Sequence, residues 1–361
     1  MKLGVITTSY PRFPGDAAGN FVAGHVGALR ALGHEVEVIA AGPPDHPAGD
    51  ALRRVGGARL FYRGGAPDAL ERAPVRAGAL AAVFTARLAA AVIARAPRWD
   101  AVIAHWLVPS AIAALPSGKP LVAIAHGGDL FTLRRLHLLR PVLGALHRRQ
   151  AHLVFVSEAL RAIARTAAPA LGPWLEAATV SPMGVDLARF AALARAPSDP
   201  PIVLVAARLV PIKGVDVAIA AMPYVRRAAR LVIAGDGPER ARLTAAPGAQ
   251  VWLGEVTTLR RDELLRTASV VVVPSRIMPN GRTEGTPAIA LEALAAGVPV
   301  IASAVGGLRD LPGVRLVPPE DPCALGHAID QLLASPPSPA SLRAAVARFD
   351  WREVAPRLVR E

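Results

Sequence analysis

Residues 282–300 read RTEGTPAIALEALAAGVPV. Thr286 is a good N-cap and Pro287 a good first helical residue, so a helix is expected to begin there. Its body is Ala, Leu and Ile on every side, which marks a buried helix. It is flanked by two β-branched runs, SVVVV at 269–273 and VPVIA at 298–302. Strand, buried helix, strand is the signature of a crossover between parallel strands. Two carboxylates interrupt this apolar segment. Glu284 lies in the loop just ahead of the helix and Glu292 in its second turn. The helical neighbours of Glu292 at i±3 and i±4 are Ala288, Ile289, Ala295 and Ala296, so no cation can pair with it along the helix. A buried carboxylate needs hydrogen-bond donors. A ribose diol would supply two; the N–H groups of a neighbouring loop would serve as well. The free N–H groups at the helix start face the carboxyl edge of the sheet and favour an anion.

The same alternation of short β-branched runs and Ala/Leu-rich helical patterns extends outward through the chain. Strands are expected near 2–8, 35–40, 101–104, 120–125 and 152–156, and again near 201–207, 230–234, 250–253, 269–273 and 298–302. Between the two series, 186–200 (DLARFAALARAPSDP) ends in the Pro/Ser/Asp cluster of a linker. The expected fold is α/β, with two Rossmann-like, doubly wound parallel-sheet domains facing a cleft. The first spans 1–185 and the second 201–339. SPPSP at 335–339 connects to a last amphipathic helix, 340–361, which could cross back to the first domain.

Composition narrows the function classes. A chain of 361 residues with 52% hydrophobic residues suits two buried cores. A single cysteine, Cys323, excludes an internal disulfide framework and fits a reducing compartment. MKLGVITTSY enters a strand directly, without the apolar h-region of a signal peptide. The longest apolar stretch, 77–94, is cut by Arg87, so the expectation is a cytoplasmic protein without a membrane span. The formal net charge of +13 would suit an anionic substrate, an anionic membrane or nucleic acid. Nucleic acid is set aside because no basic run is interleaved with aromatics, which make up only 4% of the chain.

Open parallel sheets bind ligands beyond the carboxyl ends of their strands. After 201–207 comes ARLVPIKG, with Arg208 and Lys213 around a proline turn. Arg as a planar fork and Lys as a mobile point charge can grip a diphosphate. Lys213 is one of only three lysines in an arginine-rich chain, which hints at a need for a compact ammonium. A solvated surface pair would look the same. After 120–125 comes AHGGDLF, placing His126, Gly127, Gly128 and Asp129 at a sheet edge. The glycines admit close approach to the backbone, and His126 could hydrogen-bond a sugar hydroxyl or simply complete the local structure. PGDAAGN at 14–20 precedes a helix at 20–32 and could offer N–H groups to a phosphate. It is neither G-x-G-x-x-G nor a Walker loop, which disfavours dinucleotide oxidoreductases and P-loop enzymes. D-x-D, H-E-x-x-H and G-x-S-x-G are all missing, so the sequence offers no metal site and no serine triad.

Together GHEVEVIA, HGGD, PMGVDLARF, ARLVPIKG, IAGDGPERARL, VWLGEV, ASVVVVPS and EGTPAIALEALAAGVPVIAS resemble the retaining glycosyltransferases of family 4, with the GT-B fold. The resemblance covers nearly the whole chain. It implies transfer of a hexose-type sugar from a nucleoside-diphosphate-sugar donor to an acceptor hydroxyl, with retention and without a metal or other cofactor. Arg208 and Lys213 would bind the diphosphate, Glu292 the ribose, and Glu284 with Gly285, Thr286 and Pro287 the donor sugar, with Gly19 also on the donor side. His126 would reach the sugar from the first domain, and Gly128 and Asp129 would lie toward a carbohydrate or lipid-linked acceptor. The chain departs from the family at EGTP, where members often read EGFG, and at AAGN, where they carry a Gly-Gly pair. Two other readings stay open, a nucleotide-sugar epimerase of the same fold and a non-catalytic nucleotide-sugar binder. The basic stretch 134–149, RRLHLLRPVLGALHRR, could rest on anionic lipid headgroups or be an ordinary helix with a solvated face.

Overall fold

The computed structural model describes residues 1–43, 51–62, 70, 73–248 and 250–359. The chain forms two compact units, Met1–Gly184 with Trp351–Glu361, and Val185–Asp350.

Among the described residues the first unit holds seven strands: β1 (Lys2–Thr7), β2 (Glu35–Ala40), β3 (Leu52–Arg54), β4 (Ala101–His105), β5 (Leu121–Ala125), β6 (His152–Phe155) and β7 (Thr179–Val180). Their order is β3-β2-β1-β4-β5-β6-β7 and every pairing is parallel. The second unit repeats the plan with β8 (Ile202–Ala206), β9 (Arg230–Ala234), β10 (Val251–Gly254), β11 (Val270–Val273), β12 (Val300–Ser303) and β13 (Val314–Val317), in the order β10-β9-β8-β11-β12-β13. A parallel sheet is covered on both faces, and the strand sequences show it. Val203 and Val205 of β8 join one apolar layer with Ile233 and Val272, whereas Ile202 and Leu204 join the other with Val271 and Leu294. Fully burying one such side chain stabilises the fold by about 1.5–3 kcal/mol. The strand order reverses between β1 and β4, and between β8 and β11. The loops leaving those strands are therefore where each unit can hold a ligand.

Several local expectations are corrected. The helix after Glu284 is Ala288–Ala295, with Pro287 as its N-cap at ψ 126. Extended backbone at Pro287 delays the helix by a residue, and no side chain caps it. The stretch 134–149 takes in the end of one helix, Gly128–Arg135, and the whole of another, Leu139–Arg148, parted by a turn with His137 at φ +57. Pro141 sits in the first turn of the second, where its missing N–H costs nothing. The 186–200 segment contains a short helix, Leu187–Ala191. In place of one helix over 340–361 there are Pro339–Val346, a 3-10 turn, and Trp351–Val354 followed by Ala355–Leu358. Residues 360–361 lie outside the described residues. Trp351, Val354, Ala355 and Leu358 belong to the core of the first unit. A Cβ on Gly24 or Gly184 would come within 2.7 or 2.5 Å of the Trp351 ring. The helix Pro74–Arg95 is long and apolar enough to cross a membrane, yet Phe84, Leu88 and Val92 pack into the same core.

Candidate active site

In the second unit the β8 and β11 loops converge. Val210–Gly214 turns tightly, with Gly214 at φ +59. A Cβ there would lie 2.0 Å from the Pro274 carbonyl oxygen, so only glycine lets the two loops touch. The contact is tied by the Arg276 N–H donating to the Ile212 carbonyl at 3.0 Å and by the Arg276 guanidinium donating to Asp216 at 2.9 Å. The result brings Lys213 Nζ to 2.6 Å from Glu284 Oε2, although the two are 71 residues apart. Ser275 Oγ donates to the same oxygen at 3.2 Å. Burial works to raise the Glu284 carboxyl, but Lys213, Ser275 and Arg208 outweigh it and hold it below the usual carboxylate range. Arg208, Lys213 and Glu284 thus form one cluster, with Gly285, Thr286 and Pro287 leading from it into the helix.

Glu284 is held from behind by a loop that sequence reading passed over. Gly307 N–H donates to the Glu284 carbonyl at 3.2 Å, and a Cβ on Gly306, at φ +48, would lie 1.9 Å from that oxygen. The signal was available as a Gly-Gly pair just after the strand expected at 298–302. Ser275 was missed as well, because a buried serine beside a strand end carries no distinctive spacing.

Glu292 is buried and receives a cation from another helix, Thr258–Thr267: Arg261 Nη1 donates to Oε1 at 2.9 Å. Burial pushes its carboxyl up, against the pull of Arg261 and Arg189. Its other oxygen, Oε2, has no protein partner among the described residues. The absence of a cation along its own helix stands; the partner comes from 31 residues away, beyond the reach of a helical pattern.

In the first unit the carboxylate of Asp129 accepts from Leu107 N–H at 2.6 Å, Gly127 N–H at 2.9 Å and His126 N–H at 3.2 Å. Burial pushes Asp129 up, partly offset by those N–H groups. It braces the loop that carries His126 and Gly128 to the β4 strand end. Gly19, at φ +68, starts the helix Asn20–Ala31; a Cβ there would lie 2.4 Å from the backbone of Ser9. Phe21, two residues on, has its ring 5.2 Å from that of His126, so the Gly19 loop and the His126 loop share one edge. Two further histidines, His25 and His105, lie behind His126 and are fully buried.

Burial lowers His25 to about 3 and drives His105 well below the usual histidine value. Below pH 6.5 an unfolded chain takes up protons that these rings refuse until far lower pH. Stability from this source is complete above 6.5 and falls as pH drops toward 3, by about 1.4 kcal/mol per pH unit for each ring. Glu292 and Asp129, both raised, act in the opposite sense, since they gain protons in the folded state first. Urea midpoints are expected to decline from pH 7 to pH 5, and His25→Gln should make the decline shallower; an unchanged slope in that variant would show that the ring is not buried neutral.

Two family profiles match the chain, Glycosyltransferase Family 4 over residues 18–189 and Glycosyl transferases group 1 over residues 200–335. Glycogen synthase of Mycobacterium tuberculosis is 30% identical over 98% of this chain and 92% of its own length. D-inositol 3-phosphate glycosyltransferase of Xylanimonas cellulosilytica is 33% identical over 75% of this chain and 74% of its own. Among solved structures, sucrose-phosphate synthase from Thermosynechococcus elongatus aligns with a TM-score of 0.68 at 21% identity, covering 99% of this chain and 97% of that one. Anabaena HepE in complex with UDP and glucose aligns with a TM-score of 0.70 at 19% identity, covering 99% and 98%. At such identities the two structures speak to the fold alone.

Proposed function

The chain belongs to glycosyltransferase family 4 and is a glycosyltransferase with the GT-B fold, and from that premise we propose that it is a retaining, metal-independent enzyme using a nucleoside-diphosphate-sugar donor. The observation that carries the proposal is the cluster of Arg208, Lys213 and Glu284 at the reversal point of the second sheet. When the bond between the anomeric carbon and the diphosphate oxygen breaks, negative charge grows on the leaving group. Two cations and a helix start beside it can stabilise that charge where other enzymes use a metal ion. The acceptor oxygen bonds to the anomeric carbon on the face the diphosphate leaves, and its proton passes to the departing phosphate oxygen.

In this reading Lys213 turns on its flexible stem between Glu284 and the diphosphate. Glu284, with Gly285, Thr286 and Pro287, positions the donor sugar. Glu292 offers Oε2 to the ribose, and Gly19 serves the donor. His126 serves the transferred sugar, while Asp129 braces the Gly128 loop on the acceptor side. The base of the donor, uridine, guanosine or adenosine, is what the nucleotide series below reads out. The acceptor would be a carbohydrate or lipid-linked hydroxyl, met in the cytoplasm or at the inner membrane face.

The test is thermal stabilisation by UDP, GDP and ADP and by their sugars. A ligand at 100 times its Kd stabilises the folded state by about 2.7 kcal/mol, so one nucleotide series should raise Tm by several degrees. Turnover with that donor should be unchanged by EDTA. No shift with any nucleotide, or loss of turnover on chelation, would overturn the proposal.

A further inference from the structure

Three histidines of the first unit stand in one hydrogen-bonded row. His25 lies on the helix Asn20–Ala31, His105 ends β4, and His126 follows β5. His25 Nδ1 is 3.1 Å from His105 Nε2, and His105 Nδ1 is 3.1 Å from His126 Nε2. The ring centroids are 5.3 and 5.2 Å apart. Those separations are close to the N···N distance plus two ring radii, so each nitrogen points at the next nearly in line, as a hydrogen bond requires.

A neutral imidazole has one N–H and one bare nitrogen. Two such bonds therefore leave only two arrangements for the row. With hydrogens running outward, His25 Nδ1–H donates to His105, His105 Nδ1–H donates to His126, and His126 keeps its hydrogen on Nδ1. With hydrogens running inward, the spare hydrogen falls on His25 Nε2. The inner end decides between them. The His25 ring is fully buried and stacks on the Trp351 indole at 5.3 Å and 5°. Its Nε2 has no hydrogen-bond partner among the described residues. An orphaned buried N–H is the rarer and costlier fault than an unsatisfied acceptor, and an added proton would be a buried unpaired charge. At the outer end, His126 lies against Phe21 and Trp106, with ring centroids at 5.2 and 4.8 Å. Nδ1 of His126 has no protein partner among the described residues.

We propose that His25 and His105 are positioning residues that fix His126 as the Nδ1–H tautomer, a neutral hydrogen-bond donor whose only lone pair is already taken. Resting on the reading that His126 serves the transferred sugar, this makes it a donor to a sugar oxygen and excludes it as the base that accepts the acceptor's proton.

Two-bond proton–nitrogen correlation spectra of the full chain, labelled with nitrogen-15 at pH 7 and assigned with His126→Gln, read the tautomer directly. Hydrogen on Nδ1 of His126 is expected; hydrogen on Nε2, or on both nitrogens, overturns the proposal. His105→Asp puts an acceptor where an N–H stood, which draws the His126 hydrogen to Nε2. It should lower kcat roughly 10–100-fold with little change in KM. His105→Asn, whose amide can still donate, should return kcat to within a few-fold of the wild type. Folded Asp and Asn variants of equal activity would overturn the proposal, and should the Asp variant not fold, the wild-type spectrum decides alone. The assigned tautomer together with full transfer by His126→Ala would leave the row intact and remove His126 from the sugar site.

Discussion

Glu284→Gln and Lys213→Ala are each expected to lower kcat by about 10²–10³-fold, the usual effect of deleting one preorganised charge at a reacting centre. Gln keeps the shape and an oxygen for Ser275 Oγ, so what is lost is the charge facing Lys213 at 2.6 Å. Lys213→Ala removes a cation from the proposed diphosphate site and also the largest influence opposing burial at Glu284. That carboxyl should then titrate higher, shifting the acid limb of the rate profile upward in pH. Both side chains are mostly covered, 18% and 16% exposed, so either change should lower Tm as well, and the rates are compared well below the melting range of each variant. Steady-state kinetics beside melting curves make the check. Wild-type rates in both variants would remove the cluster from the chemistry.

Glu292→Ala is expected to act first on stability. It leaves the buried Arg261 guanidinium with Asp262 alone, a long contact of 3.4 Å from Nη2, and the Arg261 Nε already lacks a hydrogen-bond partner among the described residues. Breaking a buried pair by deleting one partner costs about 3–5 kcal/mol. For a unit of this size that lowers Tm by roughly 10 °C. Adding Arg261→Met should recover much of the loss, because an apolar pair leaves no uncompensated charge. The double variant also separates two roles of Glu292. If Oε2 binds the donor ribose, the refolded double variant still binds the nucleotide about 10–100-fold more weakly, the worth of hydrogen bonds to a charged group. Wild-type affinity in that variant would confine Glu292 to pairing with Arg261.

What could be read in advance follows from how far apart the interacting residues lie. The inner strands of both sheets are runs of Val, Ile and Ala buried on both faces, and each falls within two residues of its expected span. The unforeseen strands, β3 (LRR), β7 (TV) and β13 (VRLV), are short edge strands with polar or few residues, where burial imposes no pattern. Lys213 and Glu284 were legible because each sits in a loop after a strand. Arg261 was not: its helix, TLRRDELLRT, reads as a polar surface, and nothing in that pattern shows which of its arginines turns inward. His25 and His105 were hidden for the opposite reason. Each occupies an apolar run, one in a helix and one in a strand, and a fully buried histidine there looks like any other core position.

The indole beneath His25 arrives from residue 351, after the whole of the second unit has been traversed. A ribosome working from the amino end therefore emits every residue of the second sheet before the first one owns its closing tryptophan. No single cut in the chain frees the amino-terminal unit whole: severed after Gly184, it leaves Trp351, Val354, Ala355 and Leu358 on the other fragment.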